Sequence, residues 1–148
     1  MKFETLKTIV KWVGLALVLI CFVLITYLSL QNGIESPINF KNVDKVEHFI
    51  AYAGFSFSLT LLALGFSKRF FQGSNFKNLL ACGIIPVLIA LFYGVLIEFV
   101  QPHFGRCFDY LDMIADFTGA LFGALICLLC VIFMCKVLLK VETKPNRQ

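Results

Sequence analysis

Charged residues are scarce in this sequence: they make up 15% of the 148 residues, whereas 59% are apolar. A soluble domain of this length has too little interior to bury so much apolar surface. The mean hydropathy of +0.88 also indicates a chain with more apolar surface than such a domain can bury. The composition therefore excludes a soluble globular domain and predicts a chain that uses the lipid bilayer as its main solvent.

A disulfide framework is also absent, although the sequence contains six cysteines. Five of them lie within apolar runs, where a thiol behaves as a small hydrophobic side chain: Cys21, Cys82, Cys127, Cys130 and Cys135. Only Cys107 lies in a polar segment, where it has no obvious partner. Cys127 and Cys130 form a C-x-x-C pair, but apolar surroundings disfavour the thiolate that redox or metal chemistry needs. We expect no cofactor and no metal ion from these residues.

Four apolar runs have the length that a bilayer requires, and we expect helices at about 12–30, 49–66, 79–97 and 113–135. A helix of about 19 residues spans roughly 28 Å of hydrocarbon. The first three runs contain no charged residue, and neither does 117–135 within the fourth. The first run is too long for a signal peptide, so we expect it to be retained. The sequence predicts an all-α membrane protein, a single domain over 1–148 that forms a four-helix transmembrane bundle.

The basic residues predict the orientation of this bundle. The three segments on one side of the membrane carry ten of the thirteen Lys and Arg residues: Lys2, Lys7, Lys11, Lys68, Arg69, Lys77, Lys136, Lys140, Lys144 and Arg147. The other side carries Lys41, Lys45 and Arg106. The positive-inside rule therefore places both termini in the cytoplasm. Topology explains the basic segments, so we expect contact with membrane lipids and no nucleic-acid partner.

The acidic residues are distributed in the opposite way, with seven of the nine at the outer ends of the helices. Asp44, His48 and Tyr52 are spaced by four residues at the start of the second helix, so they share one helix face. Asp44 has an alternative interpretation as an N-cap, because Glu47 three residues later completes a capping box. A cap does not account for His48, which faces the membrane interface along the same stripe as Tyr52.

Glu98 and Gln101 lie at the end of the third helix. The helix dipole opposes a carboxylate at a helix C-terminus, and this one directly follows an uncharged span. An unpaired Glu98 would be costly, so we expect it to have a partner. His48 and Arg106 are the nearest candidates at the outer face.

Arg106 precedes three acids, Asp109, Asp112 and Asp116, that share one stripe of the fourth helix. One of the three is expected to cap the helix, since acids are favourable at a helix N-terminus. The stripe continues as Gly119 and Gly123, a small-xxx-small pattern that allows close approach of another helix. We therefore expect the packed face of the fourth helix to direct the acids toward the other helices, while the first helix contributes packing and anchoring only.

At these residues the sequence resembles the VanZ-like family of bacterial membrane proteins, over about 44–123. The family pattern begins with Asp-Lys-x-x-His and a Tyr soon after, continues with Glu-x-x-Gln and Gly-Arg, and ends with two spaced Asp residues, an Asn and a GxxxG-type helix. The matching residues here are Asp44, Lys45, His48, Tyr52, Glu98, Gln101, Gly105, Arg106, Asp109, Asp112, Gly119 and Gly123. Asp116 departs from the pattern, because it stands where the family has Asn.

The resemblance implies an integral protein of the bacterial inner membrane that belongs to the cell envelope. The protein that gave the family its name is associated with low-level resistance to the antibiotic teicoplanin. The resemblance therefore adds the expectation of a role in antibiotic resistance. Whether such proteins are enzymes, and how many copies assemble, is left open at this point.

Four functional interpretations fit these residues. The first is a non-catalytic pocket for a lipid head group, a lipid-linked cell-wall precursor or an amphiphilic antibiotic, with Arg106 on a phosphate or carboxylate. The second is a membrane enzyme in which His48, Glu98, Asp112 and Asp116 supply acid–base or metal-ligating groups. The sequence contains no HExxH motif and no nucleophilic Ser or Cys beside a His. The third is a small transporter, and the fourth is a set of acids that only pair with one another.

Overall fold

Four long helices form the part of the chain that the computed structural model describes, residues 2–31, 42–67 and 76–142. They are α1, Lys2–Leu30; α2, Val43–Phe66; α3, Phe76–Val100; and α4, Tyr110–Glu142. A short 3₁₀ helix, Gln101–Phe104, follows α3 directly. The described residues contain no strand. All four helices are long and apolar enough to cross a membrane, so the prediction of four membrane-spanning helices is confirmed.

Each predicted apolar run lies inside one longer helix. α2 begins six residues before the apolar run, because the polar segment that contains Asp44 and His48 is itself helical. α3 passes through Pro86 without interruption. Some charged residues used for the orientation lie outside the described residues: Lys41, Lys68, Arg69, Lys144 and Arg147. The described cysteines Cys21, Cys82, Cys107, Cys127 and Cys130 are all free thiols.

α2 is the central helix, because it packs against α1, α3 and α4 and most extensively against α4. The α2–α4 contact depends on Gly119 and Gly123. A Cβ atom at either position would overlap the backbone carbonyl of Phe49 or of Ala53 on α2. The small-xxx-small stripe therefore brings the two backbones into direct contact, as the sequence predicted.

Two apolar clusters fill the interior of the bundle. The larger one surrounds Tyr52 and Phe55 of α2 and includes Ala90 of α3 and Ala120 of α4. The smaller one lies at the other end of α2, where Leu64 packs with Cys127 and Val131 of α4. Long apolar side chains on all four helices point outward, as expected for a surface that faces lipid.

Candidate functional site

A cluster of charged side chains lies where α2 and α4 begin and α3 ends; we call it the polar cluster. Its members are Asp44, Lys45, His48, Glu98, Arg106, Asp109, Asp112 and Asp116. Gly119 and Gly123 hold α4 close to α2, so the acids of α4 and the basic residues of α2 meet across a short distance. The structure thus brings together the predicted site residues of all three segments.

His48 lies at the centre of this cluster, and its side chain is 7% exposed. Its Nδ1 atom is 2.8 Å from Oδ1 of Asp116, in a buried hydrogen bond between α2 and α4. Its Nε2 atom faces two further carboxylates, Asp112 at 3.9 Å and Asp44 at 4.0 Å. The imidazole therefore has a carboxylate at each of its two nitrogens.

Lys45 forms the second junction between α2 and α4. Its ammonium donates to Oδ2 of Asp109 at 2.5 Å and to Oδ1 of Asp112 at 2.6 Å. The lysine stabilises the ionised form of Asp109 and so lowers the pKa of that carboxyl. Lys45 belongs to the resembling pattern but was not among the predicted functional residues. Its role depends on the position of both acids within reach of one ammonium.

Asp109 is also the N-cap of α4, since its Oδ1 atom accepts a hydrogen bond of 2.8 Å from the backbone N–H of Leu111. One acid of the stripe therefore caps the helix, as expected. The capping interpretation of Asp44 is wrong. Asn42, with a left-handed backbone at φ 67°, is the N-cap of α2 and makes no side-chain cap. Asp44 is the second residue of α2, within its first turn, and it contacts Arg106 instead.

Arg106 forms no ion pair with Glu98 among the described residues, so that expected partnership is wrong. Its guanidinium donates to Oδ1 of Asp44 at 3.3 Å and to the backbone carbonyls of Leu28 and Ser29 at 3.4 and 3.5 Å. The last carbonyls of a helix lack intrahelical partners and attract a cation. α1 therefore contributes to the cluster, which corrects the expectation that it only packs and anchors.

Glu98 is fully buried at the end of α3. Its Oε2 atom accepts a hydrogen bond of 3.3 Å from the backbone N–H of Asp109, and His48 is the nearby ionisable partner. Its Oε1 atom has no hydrogen-bond partner among the described residues, nor do Oδ2 of Asp116, the amide nitrogen of Gln101 and the hydroxyl of Tyr52. Buried polar atoms without partners are rare in folded proteins and call for an explanation.

Gly94 is a residue of the site that sequence reasoning missed. A Cβ atom at this position would lie 2.6 Å from Oδ2 of Asp116 and 3.1 Å from Cε1 of Tyr52. The absence of a side chain allows α3 to approach the carboxylate of α4. Its spacing of four residues before Glu98 was the available signal, because it places both residues on one face of α3.

A cavity of about 660 Å³ lies beside the polar cluster, between α1 and α2. Its apolar walls include Leu24, Ile25, Leu28, Ile50 and Ala51. Its polar lining includes Asp44, Glu47, His48 and Arg106. The cavity therefore has apolar walls along most of its length and charged side chains at one end.

The cavity exists because α1 and α2 diverge along their length. At one end they touch closely, since a Cβ atom at Gly14 would lie 2.7 Å from the backbone of Leu62, and one at Gly65 would lie 2.6 Å from that of Lys11. At Gly54 the nearest atom to such a Cβ is Sγ of Cys21, at 4.0 Å. The gap opens toward the polar cluster.

Comparison with known proteins assigns the family. A family model described as VanZ/LLP1 matches residues 3–133, which is wider than the stretch that carried the sequence resemblance and includes α1. No curated protein and no solved structure matches the chain. The chain belongs to the VanZ/LLP1 family, so the resemblance is confirmed, and it is a multi-pass membrane protein.

Proposed function

We propose that this member of the VanZ/LLP1 family binds an amphiphile of the bacterial cell envelope, with the acyl chain between α1 and α2 and the head group at the polar cluster. The observation that carries the proposal is the cavity, because its apolar walls lead to charged side chains at one end. Its volume of about 660 Å³ lies within the range of roughly 300–1,000 Å³ that is usual for small-molecule sites.

The charged end of the cavity indicates the head group. Arg106 bridges α1 and α2 across this end, and its contacts of 3.3–3.5 Å are long for charge-assisted hydrogen bonds. A phosphate would give the guanidinium a stronger partner than two backbone carbonyls. Asp44 lies beside it and attracts an ammonium or hydroxyl group. A zwitterionic head group, with a phosphate and an ammonium, therefore fits best.

Native mass spectrometry tests this proposal on the protein purified with added lipid. Gly54→Leu places a large side chain into the cavity at a position where the neighbouring helix is 4.0 Å away. We expect this variant to fold normally and to lose most of its bound lipid. Ala81→Leu adds the same bulk to an exposed position of α3 and should retain lipid as the wild type does. Equal retention in both variants would contradict the proposal.

The choice of ligand identifies the amphiphile. Phosphatidylethanolamine carries both a phosphate and an ammonium, whereas phosphatidylglycerol lacks the ammonium. We expect the first to bind more tightly and Asp44→Asn to reduce the difference. A polyprenyl-linked cell-wall precursor and teicoplanin are tested as competitors, because both combine an apolar chain with a polar head. Displacement of lipid by teicoplanin would extend the proposal to antibiotic resistance.

We further propose that the polar cluster faces outward and that both termini are cytoplasmic in the inner membrane. The asymmetry of Lys and Arg supports this orientation. Cys107 is exposed in the segment between α3 and α4 and provides a natural probe. In a variant that retains only this cysteine, a membrane-impermeant maleimide should label intact spheroplasts. A cysteine introduced as Glu4→Cys in a cysteine-free chain should be labelled only after permeabilisation, and the reverse pattern would invert the orientation.

The alternative function, a membrane enzyme acting on a lipid-linked substrate, has less support. Among the described residues, no Ser, Thr or Cys side chain forms a hydrogen bond with His48, whose polar contacts are carboxylates. A nucleophile activated by this histidine would need such a contact.

A further inference from the structure

The polar cluster contains more negative than positive charge. Five carboxylates, those of Asp44, Glu98, Asp109, Asp112 and Asp116, surround the two permanent cations Lys45 and Arg106. With a neutral His48, the cluster has three carboxylates in excess of its cations. Such an excess is unfavourable at the edge of a low-dielectric bilayer unless bound protons or another cation compensate it.

The excess is concentrated on one side of His48. Lys45 and Arg106 contact Asp44, Asp109 and Asp112. Glu98 and Asp116 form no ion pair with a Lys or Arg among the described residues, and they are 0% and 1% exposed. Each has an oxygen without a hydrogen-bond partner, Oε1 of Glu98 and Oδ2 of Asp116. Two buried carboxylates are therefore incompletely satisfied at the same place.

These two carboxylates and His48 have the spacing of a metal site. One ligand atom from each of the three residues lies within 4.8 Å of the other two. Zinc ligands lie about 2.0–2.2 Å from the ion, so two of them are at most about 4.4 Å apart. Small side-chain rotations would therefore bring all three atoms into the coordination sphere.

Each nitrogen of the His48 ring faces a carboxylate. Its Nδ1 atom is on the side of Asp116, at 2.8 Å from Oδ1. Its other nitrogen faces the carboxylate of Asp112 at 3.9 Å, which is beyond hydrogen-bond distance, so the two side chains would have to move closer when a metal binds. A carboxylate at the second nitrogen typically fixes the ring and its tautomer for metal binding.

A second trio, Asp44, His48 and Asp112, has similar spacing. Its carboxylates already contact Arg106 or Lys45, at 3.3 and 2.6 Å. These cations would repel a metal ion. The trio that contains Glu98 is the better site, because His48 is its only basic side chain.

We propose that His48, Glu98 and Asp116 bind one divalent metal ion of the zinc and manganese class. One imidazole nitrogen and two carboxylate oxygens form a mixed ligand set that suits these ions better than calcium, which takes only oxygen ligands. The ion would supply the missing positive charge and partners for the unsatisfied carboxylates. The proposal goes beyond the expectation that the cysteines bind no metal, and it does not depend on the lipid proposed for the cavity.

Metal content and thermal unfolding test the site in the full-length chain. The purified protein is stripped with a chelator and titrated with zinc. We expect one ion per chain and a higher unfolding temperature with zinc than without it. Asp116→Asn and Glu98→Gln preserve side-chain shape, so both should fold and lose the zinc-dependent shift, with at least tenfold weaker binding. His103→Gln removes the other histidine and should bind zinc as the wild type does.

X-ray absorption of the zinc-loaded wild type gives a second measurement that does not depend on the folding of a variant. We expect a first shell of nitrogen and oxygen with a single imidazole and no sulfur. A sulfur ligand would assign the ion to a cysteine and overturn the proposal. Absence of stoichiometric binding, or unchanged binding in the Asp116→Asn protein, would overturn it as well.

Discussion

The two ends of α2 are both buried against α4, yet they are filled by opposite kinds of side chain. At the first end His48 is hydrogen-bonded to Asp116, and Lys45 joins two further acids. At the other end Leu64 packs against Cys127 and Val131 in an apolar cluster. The apolar end demonstrates that simple packing suffices to join these helices. The charged end joins the same helices through buried ionisable groups, which the proposed binding of a lipid and of a metal ion would use.

The largest expected effect comes from a substitution that forces α4 away from α2. Gly123→Leu would force a side chain into the backbone carbonyl of Ala53. Overpacking typically costs about 1–3 kcal/mol, and a clash with backbone places this variant at or above the upper value. We expect little folded protein in detergent, as measured by size-exclusion chromatography after heating. Gly54→Leu is the matched control, because a Cβ atom there would be at ordinary van der Waals distance, 4.0 Å, from Sγ of Cys21. Equal loss in the two variants would contradict the close α2–α4 contact.

The second prediction applies the same new residue to both ends. His48→Met leaves Asp116 buried without its hydrogen-bond partner. We expect a cost of about 3 kcal/mol, because an unsatisfied buried polar group costs about 1–3 kcal/mol and a charged group costs more. Leu64→Met conserves volume and should cost less than about 1.5 kcal/mol. Thermal unfolding in detergent compares the two proteins. Similar unfolding temperatures would mean that the polar cluster is not an energetically distinct region.

Lys45→Met should have an intermediate effect. Asp112, whose side chain is 4% exposed, would lose its hydrogen bond of 2.6 Å. Because Lys45 is itself 25% exposed, we expect a cost of about 2 kcal/mol, between the values typical of exposed and buried pairs. Lys77→Met changes an exposed lysine at the opposite end and should shift stability by less than about 0.5 kcal/mol. Equal effects would contradict the role assigned to Lys45.

The smallest expected effect is the pH dependence that Asp109 contributes. Lys45 lowers the pKa of Asp109 in the folded protein. A lowered pKa gives stability that is complete above the ordinary value of about 4 and is lost as the pH falls through the folded value. Asp109→Asn retains a capping side chain but no charge. It should unfold with a weaker dependence on pH between about 5 and 3 than the wild type; an unchanged dependence would assign the effect to other acids.

The four spans and the stripe of acids on α4 were predictable, because hydropathy and helical periodicity are local properties of the sequence. The same is true of the close contact at Gly119 and Gly123. Which residues pair between helices was not predictable. The partnership of Arg106 with Asp44 depends on how far α1 and α2 diverge and on the relative height of the helix ends, and these follow from packing contacts between distant segments.

The cavity and Gly94 illustrate the same limit. The cavity results from close contact of α1 with α2 at Gly14 and Gly65 and from its absence at Gly54. Nothing in the local sequence distinguishes these three glycines. Gly94 likewise acquires its role only from the position of Asp116 on another helix.

The most direct test of the binding account is the position at which a lipid attaches. The protein is mixed in detergent with one equivalent of phosphatidylethanolamine that carries a photoreactive group in its acyl chain, irradiated and mapped by peptide mass spectrometry. We predict cross-links on the residues of α1 and α2 that line the cavity, which are Leu24, Ile25, Leu28, Ser29, Ile50, Ala51 and Gly54. Cross-links spread evenly over outward-facing residues such as Phe92 and Phe133 would contradict the account.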